Sequence, residues 1–129
     1  MIEQVMIGSV PYRIEYSSPV VSDEKDKVLW GEILQGKQLI KVDAEIGPEM
    51  QRVVLLHEII HGLLLHCGLS QHEEAIAERL GYALDSFLQG NPEFVRLYNE
   101  KPSKGRIQEF VSFAGSPISI HRKSEGDNE

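Results

Sequence analysis

The sequence predicts an α+β domain in which a small antiparallel or mixed sheet packs on a central helix and a second helix. Residues 1–47 contain short segments rich in β-branched and aromatic residues, separated by glycine and proline. Residues 47–67 are strongly apolar over a helical length, and residues 70–88 repeat apolar side chains at helical spacing. Strands followed by helices are typical of the α+β class.

The N-terminal region predicts strands at Val5–Ile7, Tyr12–Tyr16, Val28–Ile33 and Gln38–Val42. The polar stretch Ser17–Lys27 contains a Ser-Pro pair and a charged run, which predict a loop. Leu34–Lys37 lies between the last two strands and suits a hairpin connection.

Gly47-Pro48-Glu49 predicts a helix start, since proline is tolerated in the first turn and a carboxylate favours the positive end of the helix dipole. The helix should run to about Cys67 and stop at Gly68, a residue type suited to the position after a helix. Its middle is apolar on nearly every side, which predicts a helix buried in the centre of its domain.

A second helix is predicted from Ser70 to about Leu88, with its main apolar stripe formed by Ile76, Leu80, Ala83, Leu84 and Phe87. Pro92 then starts a short helix over Glu93–Tyr98. We expect one domain over residues 1–100 and a C-terminal extension over residues 101–129 that ends in a polar tail.

The charge balance argues against two classes of partner. The 129 residues contain 13 Lys and Arg against 20 Asp and Glu, a net charge of −7. Binding to nucleic acid or to an anionic membrane calls for clustered positive charge, so we expect neither partner.

The single cysteine, Cys67, excludes an internal disulfide framework and a zinc site built from several thiolates. The first residues lack a basic segment followed by a long apolar run, and the apolar stretch Val53–Leu65 is interrupted by charged and imidazole groups. The cytoplasm is therefore the expected compartment.

The pentad His57-Glu58-Ile59-Ile60-His61 is an HExxH motif inside the first predicted helix. Two histidines four residues apart lie one turn from each other on nearly the same face, so both can bind one Zn²⁺. Glu58 lies beside that face, where it can act as a catalytic base toward a water that zinc activates. The competing interpretation is a trio of core residues satisfied by neighbouring hydrogen bonds.

A third zinc ligand is expected from the second helix, because Leu64 and Cys67 replace the glycine and histidine of the longer HExxHxxGxxH motif. Glu74 ranks first, since it shares an edge with the small residues Ala77 and Gly81. Glu73 ranks second, and with Ser70 it could instead form a capping box. Glu78 ranks third, with a surface charge or an orienting partner of a histidine ligand as its alternatives.

The remaining candidates are assigned structural roles. We expect His66 to interact with the helix C-terminus, His72 to be solvated, His121 to be uninvolved and Cys67 to be a small buried hydrophobe. Trp30 and the methionines are expected to fill the core. Three residues could stabilise an oxyanion, and spacing favours none of them: Tyr82, Tyr98 and His72.

Residues 47–98 resemble the compact zinc peptidase domains of the ImmA/IrrE type and their relatives encoded by phages and other mobile elements. The residues that carry this resemblance are Leu56-His57-Glu58-Ile59-Ile60-His61-Gly62, Glu73-Glu74, Arg79-Leu80-Gly81-Tyr82-Ala83-Leu84 and Asn91-Pro92-Glu93. The resemblance implies a compact zincin-like domain. It also implies His57 and His61 as zinc ligands, Glu58 as the base, and a second-helix glutamate at Glu74 as the third ligand.

The expected function is therefore zinc-dependent hydrolysis of peptide bonds in a peptide or protein substrate, with a regulator protein as one candidate. An edge of the N-terminal sheet could hold an extended peptide by strand addition. The alternative is a non-enzymatic protein-binding module whose metal site is structural or vestigial.

Overall fold

The computed structural model describes residues 1–22 and 27–100, and it confirms the predicted α+β class. A four-stranded mixed sheet and three helices make up the described chain, together with a separate two-stranded ribbon. The chain divides into two compact units, Met1–Gly90 and a second that begins at Asn91. The predicted extension over residues 101–129, including His121, lies outside the described residues, and the domain boundary at residue 100 stays a prediction.

The main sheet consists of β1 (Gln4–Ile7), β2 (Val10–Ser17), β5 (Gly31–Leu34) and β6 (Leu39–Asp43). Across the sheet these strands lie in the order β1-β2-β6-β5. β2 pairs antiparallel with β1 and parallel with β6, while β5 pairs antiparallel with β6. The sheet is therefore mixed, and β5 forms one of its edges.

Side-chain alternation explains how this sheet buries one face. Along β2, Tyr12 and Ile14 are buried while Arg13 and Glu15 between them are exposed, as expected for a strand with one solvated face. β6 is interior to the sheet, and its residues Ile40 and Val42 are completely buried. These side chains form the core on which the first helix packs.

Two details of the N-terminal region differ from the sequence prediction. The predicted loop over Ser17–Lys27 contains a short strand, β3 (Val20–Val21), because Val20 is buried and pairs with Leu29 of β4 (Val28–Leu29). The predicted strand over Val28–Ile33 is broken at Trp30, so that its two halves belong to different sheets. The predicted hairpin connection before β6 is confirmed as a short 3₁₀ turn over Gln35–Lys37.

The first helix, α1 (Pro48–His66), begins and ends as predicted. Gly47 precedes it, and Gly68 adopts the left-handed conformation after its end, with φ of 95°. The expectation of burial on every side is wrong, because α1 lies between the sheet and the second helix and its remaining surface is open. Leu63 is accordingly 46% exposed.

The second helix, α2 (Glu74–Gly90), starts four residues later than predicted. The alternative role of Glu73, a capping box with Ser70 at the first turn, is therefore not found. Its two buried residues are Ala77 and Gly81. The apolar stripe that predicts the helix is largely exposed, because small side chains allow the closest approach to α1 and the larger ones point elsewhere. The exposed members include Ile76, Leu80 and Leu84.

An ion pair also joins α1 to α2, one turn of α2 after the buried Gly81. The Nε and Nη2 atoms of Arg52 lie 2.8 and 3.2 Å from the two carboxylate oxygens of Asp85. Arg52 holds the pKa of Asp85 below its ordinary value, chiefly through these hydrogen bonds. The pair therefore ties the two helices together in a fixed register.

The second unit contains α3 (Pro92–Asn99), which begins at Pro92 as predicted. Within it, the rings of Phe94 and Tyr98 pack edge to face with centroids 5.2 Å apart. Over residues 1–22 and 27–100, every helix falls short of the length and apolarity that crossing a bilayer requires.

Candidate metal centre

The HExxH motif occupies the middle of α1, where the helix is covered by the sheet on one side and by α2 on another. His57 and His61 are largely buried, with side chains 16% and 17% exposed, and the rings lie edge to face with centroids 4.8 Å apart. Two largely buried imidazoles one turn apart need polar partners, because unpaired polar groups are costly away from water.

Glu74 supplies those partners from the first turn of α2. Its Oε2 atom lies 2.7 Å from His57 Nε2, and its Oε1 atom lies 2.9 Å from His61 Nε2. The two Nε2 atoms are themselves 3.1 Å apart. Each Nε2 atom therefore faces a different oxygen of one carboxylate. One possible ligand atom from each of the three residues lies within 4.8 Å of the others, and these residues form the His/His/Glu cluster of the described chain.

The donor set and its spacing fit a zinc ion. Bonds of about 2.0–2.1 Å arranged tetrahedrally place neighbouring ligand atoms about 3.4 Å apart. The two Nε2 atoms are 3.1 Å apart, each lies 2.7–2.9 Å from one of the two Glu74 oxygens, and one ligand atom from each residue lies within 4.8 Å of the others, so these separations bracket the tetrahedral value. Two imidazole nitrogens and one carboxylate leave a fourth position for water, as in zinc sites that perform catalysis.

The small edge of α2 explains why Glu74 reaches this point. Ala77 is completely buried, and a Cβ built on Gly81 would lie 3.6 Å from the Cα atom of His57. The backbones of the two helices are therefore close at the motif. Glu73 precedes α2 and is exposed, while Glu78 lies one turn further along and lines the neighbouring cleft.

Glu58 lies next to the cluster but outside it. Its side chain is 10% exposed, and its Oε2 atom is 3.9 Å from His57 Nε2. Burial, reinforced by the negative charges of Glu74 and Glu32, raises the pKa of Glu58 to about 8, although a hydrogen bond from the backbone of Ile33 opposes the shift. Glu58 is thus a proton-binding group placed beside the candidate ligands.

Burial also affects His61. It lowers the pKa of His61, and the nearby negative charge of Glu74 acts in the opposite direction. A neutral imidazole is the form that can donate a lone pair to a metal. The environment of His61 therefore favours the protonation state that metal binding needs.

An open cleft of about 260 Å³ leads from solvent to this cluster. Glu58, His57 and Glu74 lie along it together with Glu78 and Tyr82. The rest of its lining is mainly apolar: Leu29, Trp30, Gly31, Met50, Val53 and Val54. The cluster is therefore accessible to a ligand that presents an apolar group.

The prediction that Trp30 fills the core is wrong. It is 54% exposed and forms part of the cleft wall, since it lies in the break between β4 and β5. Gly31 follows it, and a Cβ there would come within 2.5 Å of Val54 and 3.4 Å of Glu58. The absence of a side chain at Gly31 therefore lets β5 lie close to the motif. A glycine inside a predicted strand is the sequence signal for such a close approach.

His72 also differs from its sequence interpretation as a solvated residue. It is partly buried in the segment between α1 and α2, and its Nε2 atom lies 2.7 Å from Nδ1 of His61. Sequence spacing could not reveal this contact, because it depends on how the chain turns after α1.

Two of the other candidates lie at the C-terminal end of α1. Cys67 is exposed, in contrast to the buried position expected, and its thiol donates to the carbonyl of Leu64. His66 lies in the last turn of α1 as predicted, and its ring occupies the space above Gly8. Tyr98 belongs to the second unit.

Comparisons with protein-family models, with curated proteins and with solved structures found no match for this chain.

Proposed function

We propose that this protein is a zinc-dependent peptidase of the ImmA/IrrE type, with His57, His61 and Glu74 as zinc ligands and Glu58 as the catalytic base. The observation that carries the proposal is a pair of Nε2 atoms 3.1 Å apart, each within 2.9 Å of one oxygen of the Glu74 carboxylate, with the buried Glu58 carboxyl group beside them. The cytoplasm is the proposed compartment, since a lone cysteine suits a reducing environment.

Glu58 carries the proton transfers of the proposed reaction. When bound, zinc would polarise the scissile carbonyl and lower the pKa of a water to near 7. Glu58 takes a proton from that water and later gives it to the leaving amine. Added positive charge lowers the pKa of a neighbouring carboxyl, which brings Glu58 from its metal-free value of about 8 toward the range of a base at neutral pH.

Tyr82 is the residue that we propose for stabilising the oxyanion. It lines the cleft and is 50% exposed, so its hydroxyl group is able to meet a substrate there. His72 is instead engaged with His61.

The proposed substrate is an extended peptide with a large apolar side chain next to the cleaved bond. The exposed face of Trp30, together with Met50 and Val53, offers an apolar surface beside Glu58. β5 is an edge strand of the described sheet. The Asp43 amide donates a hydrogen bond to the Trp30 carbonyl, and in an antiparallel pair hydrogen-bonded residues alternate with residues whose backbone groups point outward. The N–H and C=O groups of the next residue, Gly31, therefore point away from β6. Gly31 can therefore pair with a peptide, as in strand addition.

The test compares metal content and peptide cleavage in the parent protein, in Glu58→Gln and in His57→Ala. We expect the parent to bind one zinc and to cleave a mixture of peptides beside large apolar residues. Glu58→Gln should keep the zinc and lose at least about 100-fold of the turnover, because general base catalysis contributes that much. His57→Ala should lose both.

Two outcomes would reject the proposal. Glu58→Gln that cleaves as fast as the parent would refute the role of the base. A parent protein that holds zinc without exchange and cleaves no peptide would instead favour a binding module with a structural metal.

A further inference from the structure

The C-terminal end of α1 is built as a hydrogen-bonded motif that fixes one carbonyl group. The amide of Leu69 donates to the carbonyl of Leu64 at 2.8 Å, and the amide of Gly68 donates to the carbonyl of Leu65 at 3.0 Å. With Gly68 in the left-handed conformation, these two bonds define a Schellman motif. The chain direction immediately after α1, and with it the carbonyl of Leu69, is therefore set by local backbone geometry.

His72 receives that carbonyl. Its Nδ1 atom lies 2.6 Å from the carbonyl oxygen of Leu69. A carbonyl oxygen can only accept a hydrogen bond, so Nδ1 of His72 must carry the hydrogen. In a neutral imidazole the other nitrogen, Nε2, is then an acceptor.

The tautomer of His72 in turn determines which nitrogen of His61 carries a hydrogen. Nε2 of His72 lies 2.7 Å from Nδ1 of His61, so His61 must donate through Nδ1. A neutral His61 with its hydrogen on Nδ1 has a lone pair on Nε2. That Nε2 atom lies 2.9 Å from a carboxylate oxygen of Glu74 and 3.1 Å from Nε2 of His57. An ionised carboxylate also only accepts, so a cation must lie between it and the Nε2 lone pair, either a proton or a bound metal ion.

We propose that His72 is a positioning residue, which links the carbonyl of Leu69 to His61 and thereby holds His61 in the tautomer and orientation that direct its Nε2 lone pair at the metal position. This inference rests on the proposed metal site, and it assigns His72 a role outside the ligand set. Groups that accept a hydrogen bond from a histidine ligand usually raise its affinity for metal about 10- to 100-fold.

The first test reads the tautomer of His61 directly in the metal-free, full-length parent protein. Long-range ¹H–¹⁵N spectra of histidine-labelled protein at about pH 8, above the ordinary histidine pKa, distinguish hydrogen on Nδ1 from hydrogen on Nε2. We expect both His61 and His72 to carry hydrogen on Nδ1. His61 that lacks a hydrogen on Nδ1 would overturn the proposal, whether or not its Nε2 atom shares a proton with Glu74.

The second test measures zinc dissociation constants by competition with a chelating dye. His72→Ala should bind zinc about 10- to 100-fold more weakly, while His72→Gln, which retains an acceptor oxygen, should recover most of that loss. His66→Ala is the matched control, since it removes a histidine of the same helix end that contacts Gly8 and leaves the cluster intact. An affinity for His72→Ala equal to that of the parent would contradict the proposal.

The two tests separate this inference from the proposed function. A parent protein that fails to bind zinc rejects the peptidase, whereas the tautomer spectrum still decides whether His72 accepts from His61. The tautomer measurement uses the parent alone, so it also decides the question if a His72 variant does not fold.

Discussion

At the scale of single residues, Glu58 shows how burial and charge prepare a group for chemistry. Its carboxyl group is surrounded by α1, β5 and the candidate ligands, and the pKa rises from an ordinary 4.5 to about 8. Glu32 contributes to this shift, and its Oε1 atom is buried without a hydrogen-bond partner among the described residues. The ionised forms of these two carboxyl groups are unfavourable so close together and so far from water. A positive charge at the cluster would stabilise them.

This cost predicts an unusual pH dependence of stability in the metal-free protein. Between pH 4.5 and about 8 the folded chain keeps a proton on Glu58 that the unfolded chain has released. The free energy of unfolding contributed by Glu58 therefore falls as pH rises through this window. Urea denaturation in the presence of a chelator should show Glu58→Gln to be more stable than the parent above pH 8, by on the order of a few kcal/mol.

Glu58→Gln serves as the control for all other titrations, because only the Glu58 proton is removed from the comparison. At pH 4.5 the difference between the two proteins should nearly vanish, and zinc should reduce it at high pH. Stability curves that run parallel from pH 4.5 to about 8 would contradict the assigned environment of Glu58.

At the scale of elements, the contact between α1 and α2 determines where Glu74 is held. Ala77 and Gly81 lie on the face of α2 that contacts α1, and Arg52 with Asp85 fixes the register of the two helices. The larger apolar residues of α2 lie away from this contact. The small residues allow the backbones of α1 and α2 to come close together, although they bury little apolar surface themselves.

Enlarging this contact should therefore separate the candidate ligands. Ala77→Leu inserts a large side chain at a completely buried position, so α2 must shift and Glu74 must move with it. We expect a loss of about 1–3 kcal/mol in the free energy of unfolding, and a loss of at least tenfold in zinc affinity. Denaturation and chelator competition measure the two effects.

Ala83→Leu is the matched control, because it makes the same change at an exposed position of the same helix. It should leave both the free energy of unfolding and the zinc affinity close to those of the parent. Equal zinc affinities in Ala77→Leu and Ala83→Leu would show that the position of Glu74 does not depend on the small-residue contact.

At the scale of the whole molecule, a metal ion held by the proposed ligands of α1 and α2 would couple folding to zinc concentration. His57 and His61 lie on one helix and Glu74 on the next, so all three ligand atoms converge only in the folded chain. A ligand that binds only the folded state stabilises it by an amount that grows with its concentration relative to Kd.

Zinc removal should accordingly lower the stability of the whole fold. With free zinc at 100 times Kd, we expect the free energy of unfolding to exceed that of chelator-treated protein by about 2.7 kcal/mol. His57→Ala should lose this dependence on zinc. Denaturation curves of the parent that coincide with and without chelator would exclude a zinc ion that links the two helices.

The sequence by itself determined the fold class, the bounds of α1 and the position of the HExxH motif. These features are local: helical spacing, a proline at the helix start and a left-handed glycine after its end are each encoded within a few residues. The small edge of Ala77 and Gly81 also ranked Glu74 above Glu73 and Glu78, because that edge anticipates where two helices can approach.

Only the tertiary structure decided which side chains meet across elements. The contact between His61 and His72 depends on how the chain leaves α1, and the exposure of Trp30 depends on a strand that divides between two sheets. The exposure of the apolar stripe of α2 also depends on tertiary packing. Hydrophobic periodicity shows that a helix has an apolar side, but it does not show which side contacts the neighbouring helix. Such contacts join residues distant in sequence, and packing geometry alone selects among them.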